Sequence, residues 1–364
     1  MKRVAVVFGT RPDAIKMAPI LLEQPNFPQL ELIPISSGQH REMLQPVLSL
    51  FGITPSHDAS IMDHNQSLDS LTSKAITGLG KIFDEVKPDI VLAHGDTTTG
   101  FAASIAAFYR GIPVGHVEAG LRTPTITNPF PEEMNRRVID QLSSFHFAPT
   151  SWAADNLTRE GFTPITTGNT VIDALHFVRA SNPQLPDSLE ALAHDHRVIL
   201  LTTHRRENIG EGMEHIFEAV RDIVESNPDV SVVFPIHLNA AVRNIASSVL
   251  SNLPQVHIIE PLAYPELVSL LARSYLVMTD SGGIQEEAPA FGKPVIVLRE
   301  TTERPEVVSS GCGKLVGSNR ELITSTVNQL LQNQDAYNEM AHAENPYGEP
   351  GASRKILQTI LEHD

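Results

Sequence analysis

The length, composition and charge of the chain restrict what it can be. Its 364 residues, 41% of them hydrophobic, are enough for two domains with separate cores. The formal net charge of −16 argues against a nucleic acid or an anionic membrane as a partner, because both require a basic face. The one cysteine, Cys312, excludes an internal disulfide framework and predicts a reducing, cytoplasmic location.

Apolar runs alternate with segments of helical period in the first half of the chain. The opening sequence MKRVAVVFGT has too short an apolar run for a signal peptide or a membrane span, and it predicts a first β-strand. The predicted strands, with the helix that follows where one is predicted, are VAVVF with 13–24, LELIPI with 40–51, DIVLA with 98–109, VGHVEA, and FHFAPT with 152–159. This alternation indicates βα units on a parallel sheet.

The second half repeats the alternation, and we predict two doubly wound, Rossmann-like domains, 1–170 and 171–348. The runs are RVILLT with 211–226, VSVVFP with 239–249, VHIIE with 265–273, YLVMT with 283–291, and PVIVL. The segment 181–196, rich in Pro and polar residues, is the weakest candidate for packed structure and is predicted to be an excursion of the second domain. The tail 349–364 predicts a final amphipathic helix that could dock on either domain.

Ionisable and small residues cluster where the predicted strands end. Ligands of open α/β sheets bind outside the carboxyl ends of the strands, so these residues mark a candidate site. They are Arg11, Lys16, His94, Asp96, His116, Glu118 and Arg122 in the first half, and His204, Arg205, Arg206, His237, Ser281, Gly282, Gly283, Arg299 and Arg304 in the second. We predict that the two sheets present them to a cleft between the domains.

The stretch DSGGIQEEAP, residues 280–289, follows one of these strands and opens a helix. The backbone N–H groups of such a turn and the positive end of the helix dipole suit a phosphate, although a Ser N-cap gives the same pattern without a ligand. With Arg11, Lys16 and Arg304 the turn is predicted to hold a diphosphate, while each arginine alone could be a surface ion pair. Glu287 then accepts ribose hydroxyls, or else is a solvated partner of the helix dipole.

Three carboxylates, Asp96, Glu118 and Glu132, lie in a region that also carries several arginines. Carboxylates in unlike environments serve as acid and base, and they serve equally as structural ion pairs, so both interpretations stay open. The arginines in question are Arg122, Arg136 and Arg137. His204 could contact a phosphate or move a proton, or could be structural.

Several chemistries lack their motifs in this sequence. No G-x-G-x-x-G follows a strand, so nothing supports a nicotinamide cofactor. The P-loop lysine motif, H-E-x-x-H and G-x-S-x-G are also missing, and the histidines are scattered. We therefore predict that the protein uses no cofactor and no metal.

Long motifs in order along nearly the whole chain resemble the non-hydrolysing UDP-N-acetylglucosamine 2-epimerases of bacteria. The motifs are FGTRPDAIKMAP, GQHREML, HGDTTT, PVGHVEAGLRT, PFPEEMNR, TGNTVIDAL, THRREN, DSGGIQEEAP, TTERPE and NPYG. The resemblance implies a glycosyltransferase-B-like pair of Rossmann domains, with the nucleotide held mainly by the C-terminal domain. It also implies that the last helix, in 349–364, returns to the N-terminal domain, and that the enzyme is a homodimer.

The resemblance also implies roles for individual residues. UDP would be held by Arg11, Lys16, His204, Ser281, Gly283, Glu287 and Arg304. Asp96, Glu118 and Glu132 would be the acid and base candidates, with His204 close to the chemistry. A second, activating substrate site would involve Gln39, Gln66 and His237. One departure bears on that site, because Asn65 stands where some members of the family carry Arg.

The implied reaction inverts C2 of UDP-N-acetylglucosamine to give UDP-N-acetylmannosamine, for surface polysaccharide synthesis. Since the C2–H is not next to a carbonyl and no dinucleotide motif is present, the expected route is anti elimination of UDP to a 2-acetamidoglucal, followed by re-addition. The alternatives are a glycosyltransferase that uses a UDP-sugar, an epimerase that hydrolyses its substrate to UDP and free N-acetylmannosamine, and a UDP-sugar sensor without turnover.

Overall fold

The computed structural model describes residues 1–39, 41–63 and 66–363; His40 and Asn65, noted in the sequence motifs, lie outside them. The chain divides into two compact units, Met1–Phe177 with Tyr347–Asp364, and Val178–Pro346. The division falls inside a helix, a few residues beyond the boundary predicted near 170. Phe177 on that helix packs on Phe51, with the two ring centroids 5.1 Å apart, and this contact ties most of the helix to the N-terminal unit.

The N-terminal unit is built on a parallel sheet, seven-stranded within the described residues, in the order β3-β2-β1-β4-β5-β6-β7. Its strands are β1 Lys2–Phe8, β2 Leu30–Ser36, β3 His57–Asp58, β4 Ile90–His94, β5 Val114–Val117, β6 Phe145–Ala148 and β7 Pro164–Thr166. Its helices are α1 Arg11–Leu22, α2 Arg41–Leu50, α3 Leu68–Val86, α4 Thr98–Phe108, α5 Glu132–Leu142, α6 Ser151–Arg159 and α7 Thr170–Ala180. The strand order reverses between β1 and β4, where doubly wound sheets bind ligands.

The C-terminal unit repeats the plan with six parallel strands among the residues that the structure describes, in the order β10-β9-β8-β11-β12-β13. Its strands are β8 Arg197–Thr202, β9 Val230–Pro235, β10 Val256–Ile259, β11 Leu276–Thr279, β12 Val295–Val297 and β13 Gly313–Leu315. Its helices are α8 Asp187–Asp195, α9 Glu211–Ser226, α10 Ala240–Leu250, α11 Tyr264–Arg273, α12 Gly282–Glu287, α13 Glu306–Ser309, α14 Arg320–Gln332 and α15 Gln334–Ala341. The order reverses between β8 and β11, so each sheet has one such switch point.

The central strands are apolar on both faces, as a sheet covered by helices on both sides requires. Ile199, Leu200 and Leu201 of β8 are fully buried, with Ile199 and Leu201 in one core layer and Leu200 in the other. The side chains thus alternate across the sheet with the period of two that a strand imposes. The doubly wound fold predicted for both halves is confirmed.

The last helix, α16 Ala352–Glu362, belongs to the N-terminal unit and packs against α1. Its first turn is held by a carboxylate from α7, because Asp173 accepts hydrogen bonds from the backbone N–H of Gly351 at 2.5 Å and of Ser353 at 2.7 Å. An external acid therefore satisfies donors that the helix start leaves open. The predicted return of the C-terminal helix is confirmed.

The segment 181–196, the weakest candidate for packed structure in the sequence, is packed on the core of the C-terminal unit. This segment contains α8, and Leu185 and Leu189 are buried in the same core layer as Leu200 of β8. Leu189 and the partly buried Leu192 are three residues apart on α8 and so lie on one face of it, whereas Leu185 precedes the helix. The Pro and polar residues around them concealed this short apolar stripe in a composition-based prediction.

Several helices also differ from prediction, among them α12 and α3. The segment predicted as one helix, 283–291, is the short α12 followed by a 3₁₀ turn over Ala288–Phe291, because Pro289 lacks the N–H that would continue the helix. The 19-residue α3 was not predicted, although its apolar residues recur at helical spacing. Across residues 1–39, 41–63 and 66–363, no helix has both the length and the apolar character to cross a membrane.

Candidate active site

Arg11 begins α1, directly after the first switch-point strand. Thr10 caps this helix, and the buried Asp13 closes a capping box by accepting from the Thr10 N–H at 3.3 Å. Asp13 also accepts from Thr97 Oγ1 at 3.2 Å, which joins the turns that follow β1 and β4. The half-buried Arg11 is thereby fixed at the mouth of the switch point.

Lys16 and Glu118, predicted for different roles, form a buried ion pair in the N-terminal unit, and each side chain is 7% exposed. Glu118 follows β5 in a left-handed backbone conformation, φ +66°, which is unusual for a residue with a side chain. Strain of this kind occurs where the surroundings hold a functional residue in place. His94 lies close by, with Nε2 3.8 Å from the Glu118 carboxylate.

Asp96 leaves the sheet beside Glu118, because the last residue of β4, His94, is paired with Val117 of β5. Its carboxylate lies 2.9 Å from Nη2 of Arg136, and its side chain is 28% exposed. Each carboxylate is thus paired with a cation, but the Asp96 side chain is more exposed to water than the enclosed Glu118. Such a difference in environment is what separates an acid from a base.

Glu132 is the first residue of α5 and is half-buried. Of the three arginines weighed as ion-pair partners, Arg136 bonds Asp96, whereas Arg122 and Arg137 bond other acids. The structural interpretation of the carboxylates therefore holds for the Asp96–Arg136 pair. It does not remove Asp96 from the site, since its carboxylate keeps an accessible edge.

In the C-terminal unit the buried carboxylate of Asp280 organises the switch point. It follows β11 and accepts from Thr203 Oγ1 at 2.8 Å and from the backbone N–H groups of His204 at 3.0 Å and Arg205 at 2.9 Å. Asn208 Nδ2 also donates to it, at 3.1 Å. Asp280 thus fixes the THRREN loop. Asp280 was not predicted to have a role. The signal for one was its position at the end of β11, which pairs with β8, the strand that precedes the THRREN loop.

His204 is poised as a neutral imidazole. Its Nδ1 lies 3.3 Å from the Asp280 carboxylate, and its ring stacks on His237 with centroids 5.2 Å apart. Burial lowers the pKa of His204, although Asp280 acts in the opposite direction. A neutral ring can accept or donate a proton near neutral pH.

The Ser281-Gly282-Gly283 turn starts α12 without a side-chain cap, since the Ser281 hydroxyl makes no capping hydrogen bond. A Cβ on Gly282 would lie 2.5 Å from Nη1 of Arg304, so glycine is required for the close approach of that guanidinium. A Cβ on Gly283 would meet nothing within 4 Å. The helix start is therefore open at Gly283, where a bound anion would have access to it.

Arg304 is buried, so the interpretation of this arginine as a surface ion pair was wrong. Its Nε donates to Glu286 at 2.6 Å and its Nη1 to Glu303 at 2.6 Å. Although burial alone would raise it, the pKa of Glu303 is well below its usual range because Arg304 and Arg299 face that carboxylate. Glu303 is therefore ionised and orients Arg304 against the glycine turn.

Glu287 is buried at the last position of α12, so its description as a solvated partner in the first turn was also wrong. It accepts a hydrogen bond from the Tyr264 hydroxyl at 3.2 Å. Tyr264 begins α11 and is itself buried. A hydroxyl–carboxylate contact of this kind fixes the direction in which the carboxylate points.

The residues expected at an activating site occupy different surroundings. Gln39 is buried and accepts from Thr99 Oγ1 at 2.8 Å, whereas Gln66 Nε2 donates to Met62 Sδ at 3.1 Å. His237, in the C-terminal unit, is exposed and is fixed by the backbone N–H of Asn239 at 3.1 Å. In the described part of the chain, no group of three or more His, Cys, Asp or Glu is placed to hold a metal ion.

Two doubly wound units with charged switch points define the class of glycosyltransferase-B-like α/β enzymes. The family model for UDP-N-acetylglucosamine 2-epimerase matches residues 23–361. The UDP-N-acetylglucosamine 2-epimerase of Bacillus subtilis (strain 168) is 49% identical over 364 residues, covering 99% of this chain and 95% of the relative. The chain belongs to the UDP-N-acetylglucosamine 2-epimerase family, which confirms the resemblance and the expected class of enzyme, an isomerase.

Solved structures agree with this assignment. The crystal structure of UDP-GlcNAc 2-epimerase from Neisseria meningitidis bound to UDP-GlcNAc is 46% identical, with a TM-score of 0.93, and covers 99% of this chain and 100% of that one. The structure of S. aureus MnaA with UDP is 43% identical, with a TM-score of 0.92, and covers 99% of this chain and 96% of that one. The predicted fold class is thus confirmed over the full length.

Proposed function

We propose that this chain interconverts UDP-N-acetylglucosamine and UDP-N-acetylmannosamine by anti elimination and re-addition of UDP. The observation that supports this route is the placement of Asp96 and Glu118 after neighbouring strands in unlike surroundings. A Cβ on Gly95, which precedes Asp96, would lie 3.5 Å from Glu118 Oε1, so the Glu118 carboxylate lies beside the turn that carries Asp96. Two carboxylates with different environments suit removal of a proton on one face and its return on the other.

The C-terminal unit supplies the diphosphate and ribose contacts in this proposal. The diphosphate binds at the open helix start at Gly283, beside the oriented Arg304, and His204 lies on the neighbouring loop. Glu287, aimed by Tyr264, accepts the ribose hydroxyls. Preorganised donors of this kind stabilise a leaving diphosphate more than they stabilise a bound substrate, typically by about 3–4 kcal/mol per donor.

The chemistry balances without a redox cofactor. A carboxylate takes the C2 proton, the C2–H electron pair forms the C1–C2 double bond, and the C1–O pair leaves with UDP. The resulting 2-acetamidoglucal is then attacked at C1 by the UDP oxygen while C2 is protonated on the opposite face. Lys16 and Arg11 stabilise the negative charge that develops on the leaving diphosphate. A neighbouring carboxylate stabilises the positive charge that develops on the sugar.

The finer expectations carried by the resemblance belong to the same proposal. They are a homodimer, a cytoplasmic role in surface polysaccharide synthesis, and a second substrate site that involves Gln39, Gln66 and His237. Stacking of His237 on His204 supports a link between that site and the chemistry, because a ligand that moves one ring moves the other.

Proton NMR with UDP-N-acetylglucosamine in D2O, without added nicotinamide or metal, tests the proposal. UDP-N-acetylmannosamine with deuterium at C2 and UDP still attached is the expected product. Free UDP with free N-acetylmannosamine would show a hydrolysing enzyme instead. Turnover only after an acceptor is added would show a glycosyltransferase, and tight binding without any exchange of the C2 proton would show a sensor.

A further inference from the structure

A ring of alternating charges begins and ends at the turn that carries Asp96. Each guanidinium in it bonds two carboxylates, and the contacts run from 2.5 to 3.5 Å. We call it the α5 ring; its members in order are Asp96, Arg136, Glu133, Arg137, Glu160, Arg122, Asp140 and His116. The last contact returns to the start, because His116 Nε2 lies 2.7 Å from the backbone carbonyl of Gly95. The mechanism above uses Asp96 alone among these groups.

The hydrogen bonds of His116 define its protonation state. Its Nδ1 lies 2.5 Å from Asp140, and its Nε2 faces the Gly95 carbonyl. A carbonyl oxygen can only accept, so Nε2 carries a proton. Asp140 also accepts from the charged Arg122 at 2.7 Å. Asp140 and the Gly95 carbonyl, the two partners of the imidazole, are then both acceptors. His116 therefore carries protons on both nitrogens and is a fully buried imidazolium.

The charges around His116 support this state. Burial would raise the pKa of Asp140, but His116 and Arg122 hold it below its usual value. Of these two, Arg122 is a cation whatever the state of His116, and its guanidinium donates to Asp140 at 2.7 Å, so Asp140 is an anion. A further titratable neighbour is His146 on β6, whose Nε2 lies 2.8 Å from the Asp140 backbone carbonyl. Burial lowers the pKa of His146, so that ring is neutral. The α5 ring holds four carboxylates and three guanidinium groups, so a cation at His116 is the charge that balances it.

We infer that His116 is a positioning residue whose imidazolium holds the Gly95–Asp96 turn in register with Glu118. The turn is attached to β5 on both sides, because the Gly95 N–H donates to the Val117 carbonyl at 2.9 Å and its carbonyl accepts from His116. Gly95 itself has a left-handed backbone, φ +59°. This inference rests on the proposed function, since it places the acid–base carboxylates relative to each other.

The ring also orients α5. Asn135 donates to the Asp96 carbonyl at 2.7 Å, and Arg136 holds its carboxylate. The consecutive carbonyls of Gly95 and Asp96 are thus each fixed by a side chain, the first from β5 and the second from α5. Since α5 begins at Glu132, the same ring sets the position of the third carboxylate. A shift of about 1 Å in such a constellation lowers the rate by about a hundredfold.

The protonation state can be measured without any activity. Protein labelled with ¹⁵N in histidine is studied by NMR at about pH 7, and the His116 signals are assigned by their loss in His116→Gln. Protons on both ring nitrogens are expected. One protonated and one bare nitrogen would overturn the inference, whether or not the enzyme turns over.

Kinetics of two matched variants separate positioning from stability. His116→Gln keeps one donor and loses the charge, whereas His146→Gln is the same substitution at a buried, neutral ring that contacts the Asp140 backbone carbonyl and packs 4.5 Å from the Phe162 ring. We expect His116→Gln to lower kcat at least a hundredfold with little change in KM or in UDP affinity, and His146→Gln to retain kcat within about threefold. Equal losses of kcat in both variants, or wild-type kcat in His116→Gln, would overturn the inference that His116 is a positioning residue. If the wild-type enzyme itself shows no epimerisation, the proposed function fails while the NMR result still stands.

Discussion

Among single residues, the two glycines of the α12 turn differ in whether the protein leaves space for a side chain at their position. Gly282 is needed because Arg304 occupies the space where a Cβ would be, while Gly283 faces open space. Ala at position 282 must displace a guanidinium that is held by Glu286 and Glu303. Ala at position 283 disturbs nothing in the protein but intrudes where the diphosphate is proposed to bind.

We therefore expect Gly282→Ala to weaken UDP binding at least tenfold and to lower thermal stability. Gly283→Ala should also weaken UDP binding, yet leave stability unchanged or raise it by up to about 1 kcal/mol, because Ala favours a helix over Gly. Calorimetric titration with UDP and thermal unfolding of both variants check this. Wild-type UDP affinity in Gly283→Ala would place the diphosphate elsewhere.

The sequence identified the charged residues of the site but not their partners. Lys16 and Glu118 are 102 positions apart in the chain, so only the fold shows that they form one pair. The left-handed backbone of Glu118 was equally hidden, because local sequence favours that conformation at Gly or Asn rather than Glu. Asp280 and His116 went without a role because both act through backbone groups, which a pattern of side chains does not reveal.

At the scale of elements, strand positions were predicted well and helices less evenly. Buried parallel strands are continuous apolar runs that stand out from their surroundings, as in β8 and β11. The long α3 was missed although its apolar residues recur at helical spacing, because it follows no predicted strand and carries many polar residues. In α8 the apolar stripe is two leucines long, and composition outweighed it.

A core substitution tests whether α8 is part of the C-terminal core. Leu189 is 7% exposed, so Leu189→Ala should lower the free energy of unfolding of this unit by about 2–4 kcal/mol through lost burial and a residual cavity. Leu322→Ala on α14 is the matched control, because that leucine is 40% exposed and should cost less than about 1 kcal/mol. Urea unfolding followed by circular dichroism measures both. Equal effects would mean that α8 adds nothing to the core.

At the scale of the whole molecule, buried titratable groups make stability depend on pH. Burial lowers the pKa of His146 and His204 below the ordinary value of 6.5, so the unfolded chain takes up these protons first as the pH falls. Asp140 and Glu303 have lowered pKa values as well, below 3.8 and 4.5 in the unfolded chain. In both cases stability is complete above the unfolded pKa and is lost as the pH falls towards the folded one.

The melting temperature should accordingly fall in two steps on acidification, first below about pH 6.5 and again below about pH 4.5. Scanning calorimetry between about pH 7.5 and 4 measures it. His146→Gln should reduce the first step, because it removes one of the histidines whose pKa burial lowers. An unchanged first step in that variant would assign the acid sensitivity to other groups.

The central claim is that the C1–O bond breaks while UDP stays bound. UDP-N-acetylglucosamine labelled with ¹⁸O in the bridge between C1 and the β-phosphorus tests it most directly, with ³¹P NMR as the readout. We predict that the label spreads into the non-bridging β-phosphate oxygens in recovered substrate and in UDP-N-acetylmannosamine alike, since the released β-phosphate can turn before re-addition. Formation of UDP-N-acetylmannosamine with all the label still in the bridge would contradict the elimination mechanism.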